Sequence, residues 1–274
     1  MSQGVEHGPR IAFLLGKPPR DATVISDLLE FLRAIPIEVR VHLPKGDEPL
    51  PPWLFDSDLV AQRGLGIREL TSALRLEAVG VRCCNRIAAT ITLCDREATG
   101  RKLAAAGIPV PATRAAATWP ELLALADGRP IAVKTADGSI GRGLGVAIAA
   151  DERLPAREPF AAPFLAQDYI LSDGQVYKLC IVGRQALGLL KSWPPGPAAD
   201  GAASPFPVDP ELAEVARLVG SALELEIYGV DVLIGPNGPV IVDVNPFSGF
   251  RGVPGAVRLI ARHLTAIASG QDPA

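Results

Sequence analysis

The stretch "YGVDVLIGPNGPVIVDVNPFSGF", residues 228–250, reads as a β-hairpin, with two runs of β-branched residues on either side of GPNG. Each run carries an acid, Asp231 and Asp243, and Asn245 follows two residues later. A three-residue loop of Pro236, Asn237 and Gly238, with Gly238 at the position needing positive φ, pairs Gly235 with Pro239 and sets Asp231 opposite Asp243. Asp243 and Asn245 share a face by the strand period. Side chains opposite one another lie roughly 5 Å apart, so three oxygen donors converge. Two carboxylates that close repel unless a cation lies between them or one takes up a proton. Hard oxygen ligands of this kind suit magnesium, which keeps waters and shares nucleotide phosphates. The competing reading is a solvated face that meets no metal. The apolar opposite face (Val230, Val232, Val242, Val244) and the third donor favour the metal.

The rest of the chain narrows the class. Its 274 residues are 48% apolar and 21% charged, an ordinary globular composition with a net charge of −3. No basic surface advertises nucleic acid or anionic lipid. The N-terminal "MSQGVEHGPR" lacks a signal-peptide core, and no apolar run approaches the roughly 18–20 residues of a membrane span. Cys83, Cys84, Cys94 and Cys180 show no CxxC spacing and no histidine nearby in sequence, so buried thiols in a cytoplasmic protein are expected.

Along residues 11–85, strand and helix patterns alternate: "IAFLL", "SDLLEFLRAI", "EVRVHLP", "SDLVAQRG", "IRELTSALRLEAVG", "VRCCN". Such alternation predicts an open, mostly parallel α/β sheet, and without GxGxxG after the first strand no dinucleotide is indicated. Helix follows from residue 86, stopping at Gly107. Then "PIAVKTADGSIGRGLGVAIAA" supplies two strands around a glycine-rich loop. "FLAQDYI", "QVYKLCIVG" and "QALGLLKSW" predict further strands in an antiparallel, α+β region. Residues 194–210, rich in proline, glycine and alanine, read as a loop or lid. Asp209 caps a helix that starts at Pro210 and buries Leu212, Val215, Val219 and Leu223.

Several polar residues in these strands stand out. In "KTADGSIGRGLGV", Lys134 ends a strand before Gly138, Ser139, Gly141, Gly143 and Gly145, where bare amides can approach phosphate oxygens beside a point charge. A flexible turn is the plain alternative. Gln167 and Asp168 end an apolar strand. Lys178 and Lys191 each interrupt one, and lysine is rarely buried without a partner. Taken singly, both could simply face water.

In order along the chain, these features resemble the ATP-grasp superfamily over roughly residues 90–265. "DREATGRKLAAAGIPVPAT" is similar to that family's opening segment, with Arg96 where lysine is common. The resemblance implies an N-terminal α/β pre-ATP-grasp domain over 1–88. A small ATP-grasp subdomain follows over 89–170 and a C-terminal subdomain with the metal site over 171–274. It further implies that Arg96, Lys134, Ser139, Gly141, Gly143 and Lys178 serve ATP, and that Gln167, Asp168, Tyr169 and Ile170 line the adenine and ribose pocket. Asp231, Asp243 and Asn245 would hold Mg, with Lys191 neutralising the transferred phosphoryl group and Arg251 gripping an anionic acceptor. Lys17 and Arg63, at strand ends of the first domain, are weaker acceptor-site candidates.

Two branches are similar. RimK-type ligases join an amine to a carboxylate through an acyl phosphate, and ATP-grasp inositol polyphosphate kinases phosphorylate a sugar hydroxyl. "PPGPAADGAASPFP" stands where RimK-type glutamate ligases have Asn-x-x-x-Gly-Gly, so glutamate is not carried over as substrate. Basic residues for a polyphosphate acceptor are few. The expectation is an Mg- and ATP-dependent carboxylate–amine ligase acting on small-molecule or peptide substrates. The alternatives are a small-molecule kinase and a non-catalytic nucleotide-binding protein. Dimers or tetramers are common in this fold.

Overall fold

The computed structural model describes residues 8–137, 146–149 (backbone only), 154–192 and 203–272. The first unit alternates β1 (Arg10–Leu15), α1 (Val24–Arg33), β2 (Glu38–His42), β3 (Leu59–Arg63), α2 (Ile67–Ala78) and β4 (Cys83–Cys84). Its strands form a parallel sheet in the order β2-β1-β3-β4, as the alternation predicts. α1 begins two residues before the expected "SDLLEFLRAI", because the Thr23 hydroxyl caps it by accepting from the Ser26 amide at 3.3 Å.

Two helices, α3 (Ile87–Leu93) and α4 (Arg96–Ala105), lead out of this unit. The Asp95 carboxylate caps α4, and Gly107 (φ +74°) follows its end. Then come β5 (Thr113–Ala116), α5 (Trp119–Ala126), β6 (Ile131–Thr135), β7 (Val146–Ala149) and β8 (Phe164–Asp168). The four strands make an antiparallel sheet, β5-β8-β6-β7. Trp119 of α5 packs edge-on against Phe164 of β8, with centroids 5.2 Å apart.

The last unit holds β9 (Gln175–Val182), β10 (Gln185–Ser192), β11 (Ser204–Phe206), α6 (Pro210–Leu223), β12 (Ile227–Gly235), β13 (Gly238–Pro246) and α7 (Ala256–Ala268). Its antiparallel sheet runs β11-β10-β9-β12-β13. Residues 194–210 are therefore not all loop. Ser204–Phe206 pairs with β10, and the remainder of the expected lid up to residue 202 lies outside the described residues. In α6 the buried stripe is Leu212, Ala216, Val219 and Leu223, with Val215 only half-buried. Gly220 sits inside this helix because Tyr228 crosses it. A Cβ there would come 2.1 Å from the tyrosine hydroxyl, which donates to the Ala216 carbonyl at 2.9 Å.

One apolar cluster runs from Ile11 and Phe13 of β1, through Leu28 and Leu32 of α1, to Ile260 and Leu264 of α7 and Val182 of β9. The parallel sheet and the C-terminal sheet thus share a core. The β5–β8 sheet packs around a separate cluster of its own, with Trp119, Leu122, Val133 and Phe164.

Candidate functional site

The hairpin reaches the expected pairing by a different route. Its turn has two residues, Pro236 and Asn237, and pairs Gly235 with Gly238, whose φ is +105°. The register then shifts by one between Asp231 and Val232, so that Val232 faces Ile241 while Asp231 faces Asp243. The extra residue is Val242, a β-bulge. Val242 is therefore not on the apolar face with Val230 and Val232. It lines the cleft, and its carbonyl accepts from Lys134 Nζ of the facing sheet.

On the floor of the site, the register places Leu189, Lys178, Asp231 and Asp243 side by side on four neighbouring strands. Lys178 Nζ donates to Asp231 Oδ1 at 2.7 Å. Burial pulls the Lys178 ammonium down most strongly, yet the charge and hydrogen bond of Asp231 outweigh it and leave the pKa raised. Asn245 Nδ2 donates to Asp243 Oδ2 at 2.8 Å, which leaves the amide oxygen as its free donor to a cation. From the other sheet, Lys134 is 8% exposed and its pKa is lowered, chiefly by burial, against the pull of Asp243.

Arg96 opens α4. Its Nη1 donates to the Thr135 and Asp137 carbonyls and the Thr135 hydroxyl at 2.9–3.1 Å, fixing the end of β6. Its buried Nε has no hydrogen-bond partner among the described residues and lies 3.9 Å from Asp243 Oδ1. Three cations and two carboxylates thus surround one space, which a polyphosphate carrying a divalent cation would complete.

That space is a cleft of about 150 Å³ between the two antiparallel sheets. Ala132, Pro111, Val176, Leu233 and Val242 make its walls apolar, and Gln167, Asp168, Tyr169 and Ile170 form its back edge. The amides of Asp168 and Tyr169 already bond to Ala112 and Pro130, whereas the Ile170 amide has no partner among the described residues. Gln167 Nε2 donates to the Thr113 hydroxyl at 3.0 Å, and Asp168 pairs with Arg114 at 3.0 Å. A flat aromatic ring between apolar walls, with an amide at its edge, fits this shape.

The structure brings together Arg96, Lys134, Gln167, Asp168, Tyr169, Ile170, Lys178, Asp231, Asp243 and Asn245. Lys191 is exposed near the end of β10, opposite Val176 and outside the cleft lining. Arg251 and Lys17 are exposed in loops. Arg63 crosses from β3 to donate to the Phe247 carbonyl at 3.2 Å. Ser139, Gly141 and Gly143 lie outside the described residues. Sequence reading missed Ser248, whose buried hydroxyl has no partner among the described residues and lies against Gly229, near Lys178. A serine within "NPFSGF", just past the asparagine, was the available signal.

This constellation on two antiparallel sheets behind a parallel one defines the ATP-grasp class. Residues 95–260 match the RimK-like ATP-grasp domain, and the chain belongs to that family. It is 28% identical over 233 residues to a probable alpha-L-glutamate ligase 2 of Shewanella sp. (strain MR-4), covering 79% of this chain and 76% of that one. It is 27% identical over 220 residues to the ribosomal protein bS6–L-glutamate ligase of Escherichia coli (strain K12 / DH10B), covering 71% and 73%. Among solved structures it is similar to a RimK domain ATP-grasp protein from Sphaerobacter thermophilus DSM 20745, with a TM-score of 0.71 at 23% identity over 94% and 98% of the chains. The expected ligase class and the ATP-grasp fold hold at the level of the family. No helix among the described residues is long and apolar enough to cross a membrane.

Proposed function

We propose that this chain is a magnesium- and ATP-dependent carboxylate–amine ligase. A carboxylate oxygen takes the terminal phosphoryl group of ATP and ADP departs. The amine then attacks the acyl carbon and phosphate leaves. The observation that carries this reading is the row Lys178–Asp231–Asp243 with Asn245, faced across the cleft by Lys134 and Arg96. Both relatives named above carry ligase names, and one of those names couples the protein bS6 with L-glutamate. The substrates fall in the same class: a small-molecule or peptide carboxylate and an amine.

In this reading Ile170 and its neighbours orient the base, and Lys134 with the free Nε of Arg96 grips the phosphates. Asp231, Asp243 and Asn245 would hold magnesium, which when bound supplies charge neutralisation to the transferred group. Lys178 holds the Asp231 carboxylate in place by its hydrogen bond, and Ser248 offers a hydroxyl beside it. The chain's contribution is positional and electrostatic, with no covalent step of its own. Phosphorus NMR with magnesium-ATP and pooled amino acids and short peptides tests it. ADP with stoichiometric free phosphate, appearing only with that pool, is the expected result. A new phosphoester from inositol or sugar phosphates, without free phosphate, would overturn it in favour of a kinase.

A further inference from the structure

A second cluster lies away from the cleft, where the parallel sheet meets α7. Cys84 ends β4 and is fully buried, Glu226 stands just before β12, and His263 lies in the middle of α7. The sequence separates these residues widely, which is why the cysteines appear there to lack a histidine. The fold brings a thiol sulfur, a carboxylate oxygen and an imidazole nitrogen within 4.8 Å of one another.

The His263 ring is 5% exposed, and its buried Nε2 has no hydrogen-bond partner among the described residues. It nevertheless sits 3.3 Å from Glu226 Oε2. Two such atoms close together but misaligned for a hydrogen bond are spaced like ligands of a common ion. Bonds of about 2.0–2.2 Å at a tetrahedral angle place ligand atoms roughly 3.3–3.6 Å apart. The surroundings hold this geometry. Asn85, next to Cys84, accepts from the amides of Glu226 and Ile227 at 2.7 and 2.8 Å and donates to the Ile227 carbonyl at 2.7 Å. Arg82 donates to the other oxygen, Glu226 Oε1, at 2.9 Å, leaving Oε2 for the centre. Gly183 lets the imidazole lie close, since a Cβ there would come 2.9 Å from Nδ1.

We propose that Cys84, Glu226 and His263 form a binding site for a divalent transition metal, zinc above all, distinct from the nucleotide cleft. A thiolate, a carboxylate and a neutral imidazole suit a borderline-soft ion. Their two negative charges offset its two positive ones, and the Arg82 guanidinium on Glu226 Oε1 adds a positive charge at the solvent edge. Binding displaces the thiol proton to solvent. A cleft of about 680 Å³, lined by Arg82, Gly183 and Glu226 but not by Cys84 or His263, opens on the Glu226 side of the cluster. The metal ties the end of the parallel sheet to α7 and to the start of β12, so its role is structural.

The test uses untagged full-length protein, stripped with chelator and held in saturating magnesium-ATP so that magnesium fills the other site. Cobalt(II) is the probe and zinc the competitor. The expected result is one cobalt per chain, a thiolate-to-cobalt charge-transfer band, the visible bands of a four-coordinate ion, and displacement by zinc. Cys84→Ser, which changes one atom, loses the charge-transfer band, and His263→Gln weakens zinc binding at least tenfold. Zinc raises the melting temperature of the parent and not of Cys84→Ser. If His263→Gln does not fold, Cys84→Ser decides alone. A parent protein without the charge-transfer band, or an equal band in Cys84→Ser, overturns the site and leaves a simple Glu226–His263 ion pair.

Discussion

Asp243 and Lys178 show how the site balances charge before any ligand arrives. Asp243 faces Asp231 across the hairpin and receives a hydrogen bond from Asn245. If it holds the cation, Asp243→Ala lowers ATP turnover at least ~100-fold, while the melting temperature stays near that of the parent. Turnover within a few-fold of the parent in a coupled ADP assay would remove the metal assignment. Lys178→Met leaves Asp231 beside a second carboxylate without its ammonium, at a cost of about 2 kcal/mol in chemical denaturation, the range for a hydrogen bond to a charged group. The sign with pH follows from the raised pKa of Lys178. Its contribution is fully present below the ordinary lysine value of 10.5 and fades only as pH rises through the higher folded value. The deficit of the variant is therefore flat across neutral pH and closes only in strong alkali. Magnesium should stabilise Lys178→Met more than the parent, because it takes over the neutralising role. Equal magnesium effects on the two proteins in melting experiments would refute that exchange.

The hairpin gives the element-scale lesson, because its bulge does chemical work that a regular ladder cannot. Deleting Val242 keeps Asp231 opposite the aspartate but removes the extra carbonyl that anchors Lys134. A lost hydrogen bond to a charged group is worth roughly tenfold or more in affinity, so KM for ATP rises about that much. The magnesium dependence survives. An unchanged KM would mean that the bulge does not position the lysine. The sequence made the two strands, their acids and the Asp231–Asp243 pairing legible, since alternation and the Gly238 position are local signals. It did not distinguish a three-residue loop from a two-residue turn plus a bulge, because both give the same pairing at the acids. α5 went unread although Thr118 and Glu121 form a capping pair around it, with the Glu121 carboxylate accepting from the Ala117 amide at 2.8 Å. Lys178 stood out as an anomaly in an apolar strand, and the family resemblance assigned it to ATP rather than to Asp231. Its partner depends on which strands become neighbours, a long-range fact that no local pattern encodes. The same holds for Arg96, whose fork clamps Thr135 and Asp137 some forty residues on.

At the scale of the whole molecule, the cleft is walled by two sheets joined, among the described residues, by Lys134 to Val242, while the Pro109 carbonyl in the connection before β5 accepts from the Ile241 amide at 2.9 Å. A ligand touching both walls therefore adds its binding energy to the cohesion of the molecule as well as to the site. By mass action, a non-hydrolysable ATP analogue with magnesium at a hundred times its Kd stabilises the folded chain by about 2.7 kcal/mol. For a chain of this size that is a rise of roughly 5–10 °C in melting temperature. Magnesium without nucleotide should do much less, since Lys178 and Arg96 already stand beside the acids it would neutralise. Nucleotide without magnesium should also do less, because its phosphates would approach Asp231 and Asp243 uncompensated. The two ligands must then be cooperative, each binding more tightly in the presence of the other by the same factor. Thermal melts across a grid of magnesium and nucleotide concentrations measure that factor directly. Strictly additive shifts would mean that cation and nucleotide occupy separate places, and that the acid row on β12 and β13 is not where they meet.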